Sequence, residues 1–192
     1  MENQLIFIAG GARSGKSSFA EQFAGEQAYQ HKLFLYYVAT SKTEDEEMKE
    51  RISKHQRDRL KGKYNWTTIE CPMHLKKLDK TIQKGQVVLI DCLTVLLSNE
   101  LFQNGFEKRH WNNSQLKQRV VHSILEGISI LRKQTLLLVL VSNETVYDVI
   151  APDNELLQVY QKLLGIIHQE IVQEANAAYV MESGVSVLMK EG

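Results

Sequence analysis

No charge of one sign dominates this sequence: 23 Lys and Arg stand against 23 Asp and Glu in 192 residues, and the pI lies near 7.0. Proteins that bind nucleic acid by neutralising many phosphates carry a basic excess, so that class is disfavoured and no nucleic-acid partner is expected. Cysteine is scarce as well. Cys71 and Cys92 are too few for a disulfide framework and lack the C-x-x-C spacing of a zinc or redox site, so both read as small buried or half-buried side chains. Long apolar runs are missing too, since Leu136 to Val141 is flanked by Lys133, Gln134, Ser142 and Asn143, far short of the ~18 residues of a membrane span. The start, Met1-Glu2-Asn3-Gln4, has no basic n-region, so no secretory signal is expected and a cytoplasmic location is. There is no internal repeat, no low-complexity tract and no Gly/Ser-rich linker. With 43% hydrophobic and 24% charged residues the chain has a globular composition, and residues 1–192 are expected to form a single domain.

What is present is an alternation of strands and helices. Leu5 to Ala9 is a short apolar run ending at Gly10-Gly11, as in a strand buried on both faces, and Ser17 to Gln30 then has helical periodicity. Leu33 to Ala39 reads as a second strand, Glu44 to Lys61 as a charged and mostly solvated helix, and Trp66 to Glu70 as a strand stopped by Pro72. Leu75, Leu78 and Ile82 mark a short helix, Gln86 to Ile90 a strand that ends on Asp91, and Leu93 to Phe102 a further helix. Gln103 to Asn113 reads as a loop, Ser114 as the N-cap of a helix reaching Arg132, and Thr135 to Val141 as the most continuous apolar strand. A long helix from about Asn154 to Ala177 precedes a hairpin of Ala178 to Met181 and Val185 to Met189 around Ser183-Gly184. This order predicts an α/β fold, a mostly parallel sheet with helices on both faces and a C-terminal hairpin.

The chemistry concentrates at Gly10-Gly11-Ala12-Arg13-Ser14-Gly15-Lys16-Ser17, which fits G-x-x-x-x-G-K-[ST] between a buried strand and a helix, so the expected α/β fold is P-loop NTPase-like (RecA-like). Glycines let backbone N–H groups turn inward around phosphate oxygens, and the following helix presents its positive end. Lys16 is expected to reach the β- and γ-phosphates, and Ser17 to offer a hydroxyl to Mg²⁺. Asp91, at the end of a central strand, either holds Mg²⁺ or its water opposite Ser17, or caps the helix that begins at Leu93, and the two roles are compatible. Arg13 and Arg59 can grip a phosphate or carboxylate with their planar forks or serve as surface charges. Glu70 and Glu47 are candidates for a ribose or guanine edge.

An ordered series of motifs extends beyond this loop. Tyr37-Val38-Ala39-Thr40-Ser41, Glu46-Glu47-Met48, Arg51-Ile52-x-x-His55-x-x-x-Arg59, Trp66-Thr67-Thr68-Ile69-Glu70, Asp91-Cys92-Leu93-Thr94, Ser98-Asn99 and Leu101-Phe102 follow it over the first half of the chain. Together with the P-loop they resemble the bifunctional adenosylcobinamide kinase/adenosylcobinamide-phosphate guanylyltransferases of cobalamin biosynthesis. The resemblance implies Mg²⁺-dependent phosphorylation of adenosylcobinamide by GTP or ATP, then transfer of GMP from GTP onto that phosphate through a guanylylated histidine, His55. It also implies that Thr40, Ser41, Arg59 and Glu70 belong with the P-loop in the nucleotide site, that a cobinamide-type corrinoid is the partner substrate, and that the chain forms a homo-oligomer, possibly a trimer. A neutral imidazole suits the covalent role, because it is nucleophilic near pH 7 and splits one transfer into two easier ones. His31, His74, His110, His122 and His168 read as solvated or packing residues.

The second half departs from the family pattern N-E-V-G-x-G-I-V-P and R-x-F-R-D-x-x-G-x-x-N-Q. Ser142-Asn143-Glu144 is kept, but Val146 and Asp148 lie in a stretch without its two glycines. Gln158 and Gln161 replace two arginines, and Lys162 and His168 replace an Asp and an Asn, while Gly165 and Gln169 remain. Losing two guanidiniums removes charge-assisted donors for phosphate. Two alternatives follow: a P-loop small-molecule kinase without guanylyl transfer, and a non-catalytic nucleotide-binding regulatory protein.

Overall fold

The computed structural model describes residues 3–41, 62–103, 113–144 and 154–192. Its elements in chain order are β1 (Gln4–Gly10), α1 (Lys16–His31), β2 (Leu35–Ala39), β3 (Trp66–Glu70), a 3-10 turn (Leu75–Lys80), β4 (Val87–Asp91), α2 (Leu93–Gln103), α3 (Ser114–Gln134), β5 (Leu137–Asn143), α4 (Glu155–Glu174), β6 (Ala177–Glu182) and β7 (Val185–Glu191). The charged helix expected over Glu44 to Lys61 lies outside the described residues.

Seven strands form one sheet in the order β3-β2-β4-β5-β1-β6-β7, parallel throughout except for β7, which pairs antiparallel with β6. The expected α/β architecture is therefore the observed one. β1 pairs with β5 on one side and β6 on the other, and β5 separates it from β4, so the strand carrying the P-loop and the strand carrying Asp91 flank a shared neighbour. Strand residues alternate between two cores because the side-chain period is two. Leu5, Phe7, Val38, Ile90, Leu138 and Leu140 point to the face covered by α2, α3 and α4. Ile6, Ile8, Leu89, Val139 and Val141 point to the other, where Ala20, Ala24 and Ala28 of α1 pack at i, i+4 spacing. With both faces covered, the central strands read as unbroken apolar runs. Each fully buried aliphatic side chain, such as Leu138, contributes about 1.5–3 kcal/mol.

Several boundaries differ from expectation for local reasons. The N-cap of α3 is Asn113 rather than Ser114: the Asn113 side-chain oxygen accepts from the Leu116 N–H at 3.0 Å, and Ser114 becomes the first helical residue. Gln103 belongs to α2, not to the loop after it. Thr135 closes α3 instead of opening β5, its hydroxyl donating to the Leu131 carbonyl at 2.8 Å. Leu33 is held by the end of α1, its N–H donating to Ala28 at 2.9 Å, so β2 starts only at Leu35. The last helix stops at Glu174, short of the expected Ala177, because Asn176 is recruited by β1. Its N–H donates to the Leu5 carbonyl at 2.8 Å and its side-chain oxygen accepts from the Leu5 N–H at 2.9 Å.

Candidate nucleotide site

β1 ends on Gly10, and the chain turns there into the P-loop. A Cβ on Gly10 would lie 2.6 Å from Ser14 Oγ and 2.7 Å from the Met181 carbonyl oxygen, so only glycine fits between the loop and β6. Gly15 takes a left-handed conformation, φ 91°, as it opens α1, and the Phe19 N–H donates back to its carbonyl at 3.0 Å. Gly11 and Ala12 follow at the rim, and Arg13, exposed, is also left-handed at φ 61°. For a non-glycine residue that conformation costs roughly 1–2 kcal/mol, a strain of the sort that collects at ligand-binding loops.

The loop is held from behind by the hairpin. Ser183 and Gly184, both left-handed, make the tight turn between β6 and β7, and the Gly184 N–H donates to the Ser14 carbonyl at 3.0 Å. Ser14 is buried, and its hydroxyl has no hydrogen-bond partner among the described residues. Lys16 is buried too, its ammonium donating to the Gly11 carbonyl at 3.0 Å across the loop. Burial pulls its pKa below the ordinary lysine range, against an upward pull from Asp91 and Cys92. Ser17 sits half-buried in the first turn of α1, beside Lys16.

Asp91 ends β4 half-buried, and its carboxylate accepts a hydrogen bond from the Tyr37 hydroxyl at 3.1 Å. Among the described residues it makes no ion pair with Lys16, although the two are within electrostatic reach. Around it the ends of β2 and β4 are locked together. Thr40 Oγ1 donates to the Cys92 carbonyl at 2.9 Å and accepts from the Cys92 N–H at 2.8 Å, while the Thr40 N–H donates to the Asp91 carbonyl at 3.1 Å. The Asn99 amide adds a third tie, donating to the Thr40 and Pro72 carbonyls at 2.8 and 3.0 Å. Thr40, expected beside the nucleotide, thus spends its hydroxyl on the backbone after Asp91. Ser41 is half-buried just beyond it, and Glu70 is exposed at the end of β3, in register with Ala39. His55 and Arg59 lie outside the described residues.

The linear sequence assigns no site role to Tyr37, Asn99 or the pairing of Thr94 with Asn143, and it marks Gly184 only as a turn residue. The Asn143 amide donates to Thr94 Oγ1 at 3.1 Å and the Tyr160 hydroxyl to the Thr94 carbonyl at 2.8 Å, which ties α4 to the strand ends beside the loop. Tyr37 and Asn99 stand inside the motifs read above, but nothing in the linear pattern says what they touch. Cys71 and Cys92 are both buried, and burial raises each thiol pKa, so both stay protonated near neutrality. No group of three or more His, Cys, Asp or Glu among the described residues is arranged to hold a metal ion. Hard oxygens from Ser17 and Asp91 fit the pattern in which Mg²⁺ takes one or two protein oxygens and completes its shell with phosphates and water. No helix among the described residues is long and apolar enough to cross a membrane.

The comparisons with known proteins converge. A KaiC-like protein from Pyrococcus horikoshii OT3 superimposes with a TM-score of 0.53 over 99% of this chain and 80% of that one, at 15% identity, a likeness of fold alone. The bifunctional adenosylcobalamin biosynthesis protein CobU of Escherichia coli is 31% identical over 97% of this chain and 99% of its own length. Its counterpart CobP from Pseudomonas aeruginosa is 33% identical over 95% of each. The sequence profile described as cobinamide kinase / cobinamide phosphate guanyltransferase matches residues 6–189, and the chain belongs to that family.

Proposed function

We propose that the chain phosphorylates adenosylcobinamide with a nucleoside triphosphate and then transfers GMP from GTP to the product, giving adenosylcobinamide-GDP. The observation that carries this reading is the convergence of the P-loop and Asp91 at the C-terminal edge of the sheet, with the buried Lys16 within electrostatic reach of the Asp91 carboxylate. Gly10 to Ser17 would receive the phosphates, with the backbone N–H groups and Lys16 neutralising charge that spreads over the transferred phosphoryl group. Ser17 and Asp91 would hold Mg²⁺, which would supply a fixed positive charge to offset that of the triphosphate. Arg13, Thr40, Ser41, Arg59 and Glu70 complete the nucleotide site in this reading.

In the second reaction the neutral imidazole of His55 attacks the α-phosphorus of GTP, forming a P–N bond as the bond to pyrophosphate breaks. A phosphate oxygen of the cobinamide then attacks the same phosphorus, and the P–N bond breaks to release the imidazole. The chain acts as one nucleotide-binding domain over residues 1–192 and as a homo-oligomer. Incubation with α-labelled GTP tests the covalent step. Acid-labile label on the parent protein and none on His55→Ala is the expected result. Phosphorylated cobinamide accumulating without protein label would instead leave an ordinary small-molecule kinase, and nucleotide binding without turnover a regulatory protein.

A further inference from the structure

Asp91 carries the metal role in the reading above, yet an aspartate at the free end of a strand has a broad χ2 well and no intrinsic reason to keep one orientation. Three neighbouring strands supply that reason. Tyr37 of β2 is in register with Leu89 of β4, so Asp91 stands two residues further on, on the same face, at the diagonal position a long aromatic side chain can reach. The contact is the 3.1 Å hydrogen bond from the Tyr37 hydroxyl to Asp91 Oδ2. The step repeats one strand outward: Trp66 of β3 is in register with Leu35, two residues before Tyr37. Its ring meets the Tyr37 ring edge-on, with centroids 5.8 Å apart and planes at 85°. Trp66, Tyr37 and Asp91 therefore climb toward the C-terminal edge of the sheet, one strand and two residues at a time. All lie on the face covered by α1, where Lys16 begins the helix.

We propose that Tyr37 is a positioning residue for the metal–nucleotide site. Its buried hydroxyl ties Asp91 Oδ2 to β2, which leaves Oδ1 for the cation and keeps the carboxylate from closing onto Lys16. Trp66 sets the tilt of the Tyr37 ring. The inference rests on the assignment of Asp91 as a metal-holding residue, and it adds the group that aims that carboxylate.

The test measures Mn²⁺ binding to the full chain by electron paramagnetic resonance in the presence of the β,γ-imido analogue of GTP, without turnover. Tyr37→Phe keeps the ring and its packing and is expected to weaken Mn²⁺ binding roughly tenfold, the low end of losses seen when partners of metal ligands are removed. Affinity for the analogue in EDTA and the melting temperature are expected to stay at the parent values. Trp66→Leu keeps the hydroxyl and loosens the ring, so a loss of roughly threefold is expected, smaller than that of Tyr37→Phe. Parent-like Mn²⁺ affinity in Tyr37→Phe overturns the proposal, as does an equal loss of metal-free nucleotide binding, which would mark a merely structural role. Asp91→Asn separates the two readings. If it binds Mn²⁺ like the parent, the metal assignment itself is wrong; if it loses Mn²⁺ while Tyr37→Phe does not, only the positioning role falls.

Discussion

The two faces of the sheet treat sequence change differently. On one, the loop after β1 is tightly constrained: Gly10 is wedged between Ser14 and Met181, and Lys16 is buried within electrostatic reach of Asp91. On the other, α4 carries Gln158, Gln161, Lys162 and His168 where the family pattern has Arg, Arg, Asp and Asn, and the fold absorbs at least one of these changes. His168, where the family has Asn, shares a 2.7 Å hydrogen bond with Ser142 Oγ and packs its ring against Phe7 at 5.0 Å. An amide can make the same bond, so this change conserves a satisfied buried polar group. Gln158 is exposed, Gln161 half-buried and Lys162 exposed on the same helix, while Val146 and Asp148 fall outside the described residues. The loop leaves little room for a larger side chain, whereas α4 accommodates a change that keeps its buried face packed and hydrogen-bonded.

The sharpest way to break that contrast is at Lys16. Lys16→Ala is expected to reduce kcat for the phosphoryl step by about 10²–10³, or about 2.7–4 kcal/mol, the usual loss of one preorganised electrostatic donor, measured by steady-state kinetics. Because burial lowers the Lys16 pKa, the parent is expected to lose nucleotide affinity on the alkaline side earlier than an ordinary lysine would dictate. Lys16→Ala should lack that limb.

On the α4 side the comparable effect falls on stability. Burial lowers the His168 pKa from 6.5 to about 4, so between those values the unfolded chain binds a proton that the folded chain does not. Stability therefore falls as the pH drops from about 6.5 to 4, by ~3 kcal/mol at the low end, and is flat above that window. Denaturant titrations of His168→Asn, read at several pH values, should show that acid-side slope removed while nucleotide affinity at pH 8 stays near the parent's. A large loss of nucleotide affinity would instead place α4 within the site.

A third test returns to the loop. Gly10→Ala forces a methyl against Ser14 and a backbone oxygen of β6, an overpacking of about 1–3 kcal/mol. It is expected to lower both the melting temperature and nucleotide affinity. The smallest effect is expected from restoring guanidiniums with Gln158→Arg and Gln161→Arg, a change in nucleotide affinity of under about 1 kcal/mol for each, measured by calorimetry. A gain of tenfold or more would show that the exposed start of α4 still faces the triphosphate and would dissolve the contrast.

These asymmetries also govern how much of the fold the sequence reveals. The strand, loop and helix around Lys16 were legible because the signal is local: an apolar run, glycines, then helical periodicity in consecutive residues. The hairpin turn was legible at Ser183-Gly184 for the same reason. Boundaries set by distant partners were not. Nothing near Ala177 in the chain announces that Asn176 will be captured by Leu5, which ends α4 early, and the choice of Asn113 over Ser114 as a cap depends on which backbone leaves the helix first. The contact of Tyr37 with Asp91 needs the register of β2 on β4, which no linear motif encodes. For Thr40 the motif marked the right neighbourhood, while the structure gave its hydroxyl to the Cys92 backbone.

The bond from Gly184 to Ser14 carries a consequence for how the protein comes into being. A P-loop looks like the most local of motifs, yet here its back wall is the β6–β7 turn, made by residues from the opposite end of the sequence. Closing a contact between such distant segments costs the entropy of the long intervening loop. On a ribosome, then, the phosphate cradle cannot be completed by its own eight residues. It waits until the hairpin has emerged and docked, so an incomplete chain lacks the finished cradle for its nucleotide.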